Sequence, residues 1–244
     1  MISPDISLPA PGAPCLVLLS GGMDSTTCLY WVRSQRPEDP LHTVSIDYGQ
    51  RHRVELHAAA ELSHRVEAAS HRVLSVDLSP IGGSPLTDAA LDLPTASECN
   101  QIATVVPFRN LLFVTLAAAC AEVADCHDIF IAPVLDDHRA YRDCRRDFYD
   151  SLEQTLRLGA TRDATFHIHT ALVEMSKSDV VALGLTLGVP YEITHTCYTG
   201  RRPACGRCDA CSERLAAFAA NGIVDPLAYE LDLGADGDPW DGAE

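Results

Sequence analysis

The sequence predicts an α/β fold: an open, mostly parallel sheet covered by helices on both faces, with a small metal-binding knuckle near the C-terminus. Three observations predict it. Short apolar runs alternate with stretches of helical spacing along most of the chain. The first apolar run passes at once into a Ser/Gly-rich turn and a helix, and four cysteines crowd into positions 197–211. At 244 residues and 47% apolar content, the chain suffices for one α/β domain, a small appendage and a substantial core, which excludes global disorder.

The elements follow in order. Residues 1–14 hold four prolines, no basic residue and no long apolar stretch, so they read as a flexible leader and not as a secretory signal. Residues 15–19 (CLVLL) form a continuous apolar run, as a central strand buried on both faces requires. A helix is expected from Thr26, a strand over 41–46, and a helix over 54–69 with Leu56 and Ala60 on one side. A third strand spans 71–76. Residues 79–106 are a long connection rich in Pro, Gly, Ser and Thr, of the kind that is functional or mobile. An apolar helix over 110–124, a strand over 128–133, a helix over 143–158, a short strand over 166–170 and a helix over 176–187 complete the domain, with Ser176 as N-cap of the last. The expected division is leader 1–14, nucleotide-binding domain 15–195, knuckle and helix 196–222, and acidic tail 223–244.

Charge excludes one class of function. Lys plus Arg is 18 against 34 for Asp plus Glu, a net charge of −16. Such a chain repels phosphodiester backbones instead of steering them in, which argues against a tRNA-modifying thiolase or lysidine synthase and against any nucleic-acid partner. No run reaches the ~20 apolar residues of a membrane span. The expected setting is cytoplasmic, with free thiols: six of the ten cysteines are scattered (Cys15, Cys28, Cys99, Cys120, Cys126, Cys144) as small core residues.

Two motifs carry chemistry. Ser20-Gly21-Gly22-Met23-Asp24-Ser25 lies between an apolar strand and a helix. Two glycines let the backbone turn sharply toward an anion, and free N–H groups at the helix start supply positive ends. Ser20, Ser25 and Thr26 add hydroxyls, while Asp24 suits Mg²⁺ and not phosphate. The loop lacks the Gly-Lys-Ser/Thr ending of a Walker motif and the spacing of a dinucleotide turn. It resembles the S-G-G-x-D-S loop of the PP-loop ATP pyrophosphatases, which cleave ATP between the α and β phosphates. In the second motif, Cys197-x7-Cys205-x2-Cys208-x2-Cys211, four thiolates close a tetrahedron with no open position, the pattern of structural zinc. An iron–sulfur cluster and a redox dithiol are the rival readings.

Together the motifs resemble the 7-cyano-7-deazaguanine synthase family. Residues 20–29 (SGGMDSTTCL), 47–52 (DYGQRH), 106–110 (VPFRN, like V-P-G-R-N), 141–145 (YRDCR, like Y-P-D-C-R) and 196–198 (TCY) all match or approach its segments, so the resemblance runs from about 15 to 220. It implies a Rossmann-like sheet, a homodimer, and ATP-dependent conversion of 7-carboxy-7-deazaguanine to the nitrile. The steps implied are acyl-adenylate formation with pyrophosphate release, ammonia attack to the amide with loss of AMP, and a second ATP-driven activation. It also implies roles for residues. The 20–26 loop and Asp47 bind ATP, Asp24 aids Mg²⁺, and Arg109 and Lys177 reach phosphate. Arg109 also serves the substrate carboxylate, with Asp137, Tyr141 and Asp143 lining the base pocket. His52 and Cys144 have no chemical role to fill. Phe108, Ala132, Ala140 and Arg142 replace family Gly or Pro residues, and are expected to add bulk and charge near that pocket. That departure suggests an alternative: a paralogue passing the activated deazaguanine to an amine of an acceptor protein, as in antiviral defence operons. A non-catalytic binding module is the remaining class, which the intact loop opposes.

Overall fold

In a computed structural model of the chain, which describes residues 8–94, 101–161 and 165–230, five strands form one parallel sheet in the order β3-β2-β1-β4-β5. The strands are β1 (Cys15–Leu18), β2 (Leu41–Asp47), β3 (Ser70–Ser75), β4 (Asp128–Phe130) and β5 (His167–His169). β1 pairs with β2 through Cys15 with Leu41, and with β4 through Cys15 with Asp128. Among the described residues six α-helices accompany them: α1 (Met23–Gln35), α2 (Val54–Arg65), α3 (Arg109–Val123), α4 (Arg146–Gly159), α5 (Lys177–Leu187) and α6 (Asp209–Ala220).

Topology decides which helix covers which face. The chain steps from β1 outward to β2 and β3, then returns to the other side of β1 for β4 and β5. Right-handed crossovers in opposite directions place their helices on opposite faces. Accordingly Cys15 and Val17 pack with Leu29 and Val32 of α1, Leu62 of α2 and Val180 of α5. Leu16, between them, packs with Val114 and Ala117 of α3 and Leu152 of α4. This alternation explains the unbroken apolar run of β1, which has no solvent face. The reversal of strand order at β1 also opens a crevice at the carboxyl ends of β1 and β4, where open α/β sheets bind ligands.

Several boundaries differ from expectation. α1 starts at Met23, so Met23, Asp24 and Ser25 belong to its first turn and have the unsatisfied N–H groups of a helix start. β4 ends at Phe130, freeing Ala132 and Pro133 to turn toward the crevice. α4 begins only at Arg146, after a single 3₁₀ turn at Arg142–Cys144. On α2, Glu55, Ala58, Ala59 and Leu62 are the buried face, while Ala60 is exposed and Leu56 half-buried. Apolar spacing picks the wrong side because this helix packs a carboxyl, not a leucine, toward the sheet's carboxyl end.

The described part of the leader is held, not loose. Arg36 donates to the carbonyls of Ala10 and Ala13, and Gly12 donates to Asp39. The long connection is also anchored where it is described: Ser84, Leu86, Thr104 and Val106 are buried. Residues 1–7, Cys99 and the acidic stretch 236–244 lie outside the described residues. No described helix is long and apolar enough to cross a membrane.

Candidate active site

The loop after β1 is shaped by contacts that exclude side chains. Gly21 has φ +86°, and a Cβ there would meet the main-chain oxygen of Glu55 at 2.3 Å and Ala59 N at 2.8 Å. Only glycine fits. The hydroxyls of Ser20 and Ser25 lie 2.9 Å apart, and Gly22 N donates to Ser20 Oγ. His195 N donates to Gly21 O from the far side. The loop is thus braced before any ligand arrives, with the first-turn N–H groups of α1 and their partial positive charge facing the crevice.

The crevice deepens into a cavity of about 280 Å³, close to the ~300 Å³ at which ligand pockets begin. Ser20, Gly22, Met23, Asp24 and Ser25 line it, as do Arg109, Asp137, Tyr141 and Lys177. Elements and loops far apart in sequence therefore converge on one space. Four of the expected residues do not line it. Gly21 sits behind the loop as a backbone spacer, and Thr26 is fully buried with its hydroxyl on Gly22 O. Asp47 pairs with Arg53, and Asp143 meets Asn110 through its carbonyl.

The two ends of the cavity differ in charge. At one end Lys177 Nζ lies 3.4 Å from Asp24, 3.5 Å from Asp137 and 3.5 Å from Glu213. Burial works against the lysine's charge, but the three carboxylates outweigh it and hold its pKa well above the ordinary value. Burial raises the pKa values of Asp24 and Glu213, with Lys177 opposing. Asp24 Oδ1 is buried without a hydrogen-bond partner, so one carboxylate oxygen is open to a cation. α5 fixes the lysine through a capping box: Asp179 N donates to Ser176 Oγ, and Ser176 N donates to Asp179 Oδ2.

At the other end Arg109 begins α3. Its guanidinium lies 5.9 Å from the ring centroids of both Tyr48 and Phe113. It forms no ion pair with a carboxylate among the described residues, so it faces the cavity as a positive group set among rings. Tyr141 is tied to Thr104 through their hydroxyls at 2.8 Å, which fastens the long connection to a residue of the wall. Burial raises the Cys144 thiol to about 12, so it is protonated and no nucleophile. Burial lowers His52 to about 3, so its imidazole is neutral.

The expectation of bulk and charge at the base pocket is corrected. Phe108 is 73% exposed, and Arg142 lies on an outer groove with Arg145 and Phe148. Ala140 does not line the cavity either; of the four substitutions only Ala132 does. The resemblance places all four beside the pocket, but in the structure three of them lie off the cavity wall.

Sequence reading missed Tyr48, Glu55, Phe113, Tyr198 and Glu213 as cavity residues. Tyr48 and Tyr198 lie inside the segments DYGQRH and TCY, which was the available signal. Glu213 had only its position two residues after Cys211, on the helix that the knuckle anchors.

The four cysteines converge. Their sulfurs all lie within 4.8 Å of one another and are buried, and Cys205 Sγ is 3.9 Å from Cys211 Sγ. A tetrahedron with Zn–S bonds of about 2.3 Å has edges of about 3.8 Å. Main-chain N–H groups of Cys205, Arg207 and Cys208 point at sulfurs, as thiolates require. Hydrogen bonds from Cys208 and Cys211 pull the Cys197 thiol far below its ordinary value, while the bond to Cys197 pushes Cys208 up to about 12. A divalent metal ion bound there would supply the positive charge that lets all four deprotonate.

Comparison with known proteins follows the same outline. The family model described as "Queuosine biosynthesis protein QueC" matches residues 14–222. Proteins named 7-cyano-7-deazaguanine synthase are 40% identical in Nostoc punctiforme, 43% in Anaeromyxobacter dehalogenans and 41% in Clostridium kluyveri. Each alignment covers 88% of this chain, and 98%, 94% and 97% of the respective relative. The chain therefore belongs to the QueC family and is an enzyme of that family.

Proposed function

We propose that this enzyme adenylates 7-carboxy-7-deazaguanine with ATP and converts it with ammonia to the amide and then the nitrile. One observation carries the reading: a preformed anion loop and an arginine set among aromatic rings, with no carboxylate partner among the described residues, line one cavity in a chain of this family. A carboxylate is a poor electrophile because attack must expel oxide. Transfer of AMP to it supplies a leaving group, and catalysis becomes positioning and charge stabilisation.

In this reading, Ser20, Gly22, Met23 and Ser25 hold phosphate oxygens through hydroxyls and N–H groups, with Gly21 making the turn possible. Thr26 secures the turn by its bond to Gly22 O. Asp24 holds Mg²⁺ through the oxygen that lacks a partner; the ion supplies charge neutralisation at the polyphosphate. Lys177 leaves its carboxylate neighbours for phosphate, and Asp137 orients it. Arg109 faces the substrate carboxylate or the α phosphate, with Tyr48, Tyr141 and Tyr198 around the flat ring. Asp47 pairs with Arg53, and Asp143 meets the wall residue Asn110 through its main-chain carbonyl; both aspartates lie outside the cavity wall. The four cysteines hold zinc, which serves the fold and not the reaction.

The test is a mass-spectrometric assay of purified protein with Mg²⁺-ATP, 7-carboxy-7-deazaguanine and ammonia. Amide, nitrile and AMP are expected, and Asp24→Ala should remove all three while leaving metal content intact. AMP without amide or nitrile would turn the reading toward another amine acceptor, such as a partner protein. No substrate-dependent AMP would overturn it.

A further inference from the structure

The cavity's cations and N–H groups stabilise charge, but amination also needs a proton acceptor. A nitrogen that attacks an acyl carbon becomes cationic and must lose a proton before the product forms. Arg109 and Lys177 are cations, the Cys144 thiol is protonated, and the imidazole of His52 is too weak a base at about 3. Asp24, Asp137 and Glu213 are turned to Lys177.

Glu55 differs from all of these. It lies in the first turn of α2, is buried, and lines the same cavity as the anion loop and Arg109. Its own main-chain oxygen is the atom that leaves no room for a side chain at Gly21, so the turn that carries it also braces the loop. Two groups approach its carboxyl: Gln50 Nε2 at 3.0 Å and His52 Nε2 at 3.5 Å. Both are on Oε1, which leaves Oε2 for whatever the cavity holds. No lysine or arginine among the described residues forms an ion pair with it.

We propose that the Glu55 carboxylate is the proton acceptor of the amination step, a role that rests on the adenylation reading above. As the nitrogen lone pair forms the C–N bond, the carbonyl π electrons move to oxygen. Glu55 takes one proton from the now cationic nitrogen. The carbonyl re-forms as the C–O bond to AMP breaks, AMP leaves with that electron pair, and the proton on Glu55 returns to solvent.

The basicity fits the task. Burial raises Glu55 to about 8, opposed by the hydrogen bond from Gln50 and by the charge of Arg109. The ionisable groups around it are His52 beside it, Tyr48 after β2, Arg109 on α3, His195 before the knuckle and Tyr198 within it. Tyr48 is raised to about 12 and His52 and His195 are lowered by burial, so none of the three titrates near Glu55 in the working range. Amination should therefore rise with pH as Glu55 loses its proton, through about pH 8.

The experiment compares the full-length protein with Glu55→Gln and Glu55→Asp. Glutamine retains an acceptor for Gln50 and so preserves that bond. Substrate-dependent exchange of pyrophosphate into ATP needs no nitrogen nucleophile and reports adenylation. Single-turnover amide formation reports amination. Expected are exchange within about twofold of wild type, amide formation at least ~100-fold slower in Glu55→Gln, and partial recovery in Glu55→Asp. With hydroxylamine, already unprotonated at neutral pH, the wild-type rate should climb through about pH 8. Unchanged amide formation in Glu55→Gln, equal loss of exchange and amide formation, or a flat wild-type pH profile would overturn the role. The profile decides the matter if the variants do not fold. Absence of exchange in the wild type would instead overturn the adenylation reading, and this step with it.

Discussion

Two residues with positive φ, Gly21 and Phe108, show how differently a left-handed backbone can be used. At Gly21 a neighbouring main chain occupies the space of a side chain, so sterics and conformation demand glycine together. Phe108 holds φ +57° at the N-cap of α3 with its ring 73% exposed. A side chain in that backbone region costs roughly 1–2 kcal/mol, and the exposed ring recovers little by burial. Phe108→Gly should relieve this strain, offset in part by the greater freedom of glycine in the unfolded chain. A net gain of about 0.5–1 kcal/mol, or roughly 1–4 °C in Tm, is expected. Because the ring points away from the cavity, KM for either substrate should stay within about twofold. Thermal unfolding and steady-state kinetics check both. A tenfold change in KM at unchanged stability would place Phe108 against a ligand.

At the scale of elements, the knuckle and α6 connect the four-cysteine cluster to the cavity. Cys208 is the N-cap residue of α6 and Cys211 lies in its first turn, while Ala210 and Glu213 from the start of the same helix line the cavity. Upstream, Tyr198 follows Cys197 directly, and His195 is bonded to the anion loop. With zinc in the cluster as proposed, its removal by a zinc-selective chelator under reducing conditions should release these segments together. ATP affinity, followed by equilibrium dialysis, should fall at least tenfold, with a partial loss of helical circular dichroism. Full ATP affinity after stoichiometric metal release would show that the knuckle and the cavity are independent. The same elements mark what could be read in the sequence. The loop at 20–25 and the four cysteines were legible because each is a local pattern whose chemistry follows from spacing. Glu55 and Glu213 were not, because their role depends on tertiary placement. The apolar spacing of α2 points to Leu56 and Ala60, whereas packing against the loop selects the opposite rotation of the helix.

At the scale of the whole molecule, the C-terminal segment must be joined to a sheet it does not extend. Arg214 of α6, 0% exposed, makes the joint. It forms a two-pronged pair with Asp225, Nε to Oδ2 at 2.6 Å and Nη2 to Oδ1 at 2.8 Å. Its remaining donors reach Tyr191 O and the hydroxyls of Thr194 and Thr196, in the segment between α5 and the cysteines. Its guanidinium also lies 5.4 Å from the Phe218 ring centroid. Desolvating such a pair is unfavourable, so its net worth against an apolar replacement is small, yet removing one partner leaves the other charge buried. Arg214→Met should therefore destabilise by about 3–5 kcal/mol, lowering Tm by roughly 10 °C. Arg214→Met with Asp225→Leu should recover a substantial part, because neither charge then remains. Denaturant unfolding of the two variants separates the terms. If the double variant is no more stable than the single one, the loss lies in the other bonds of the joint, those of Arg214 to Tyr191 and Thr194 and those that Asp225 accepts from Leu227 N and the Tyr229 hydroxyl, and not in an orphaned Asp225. The joint would then act by aligning the segment that carries His195 to the anion loop, and both variants should lose ATP affinity to the same extent.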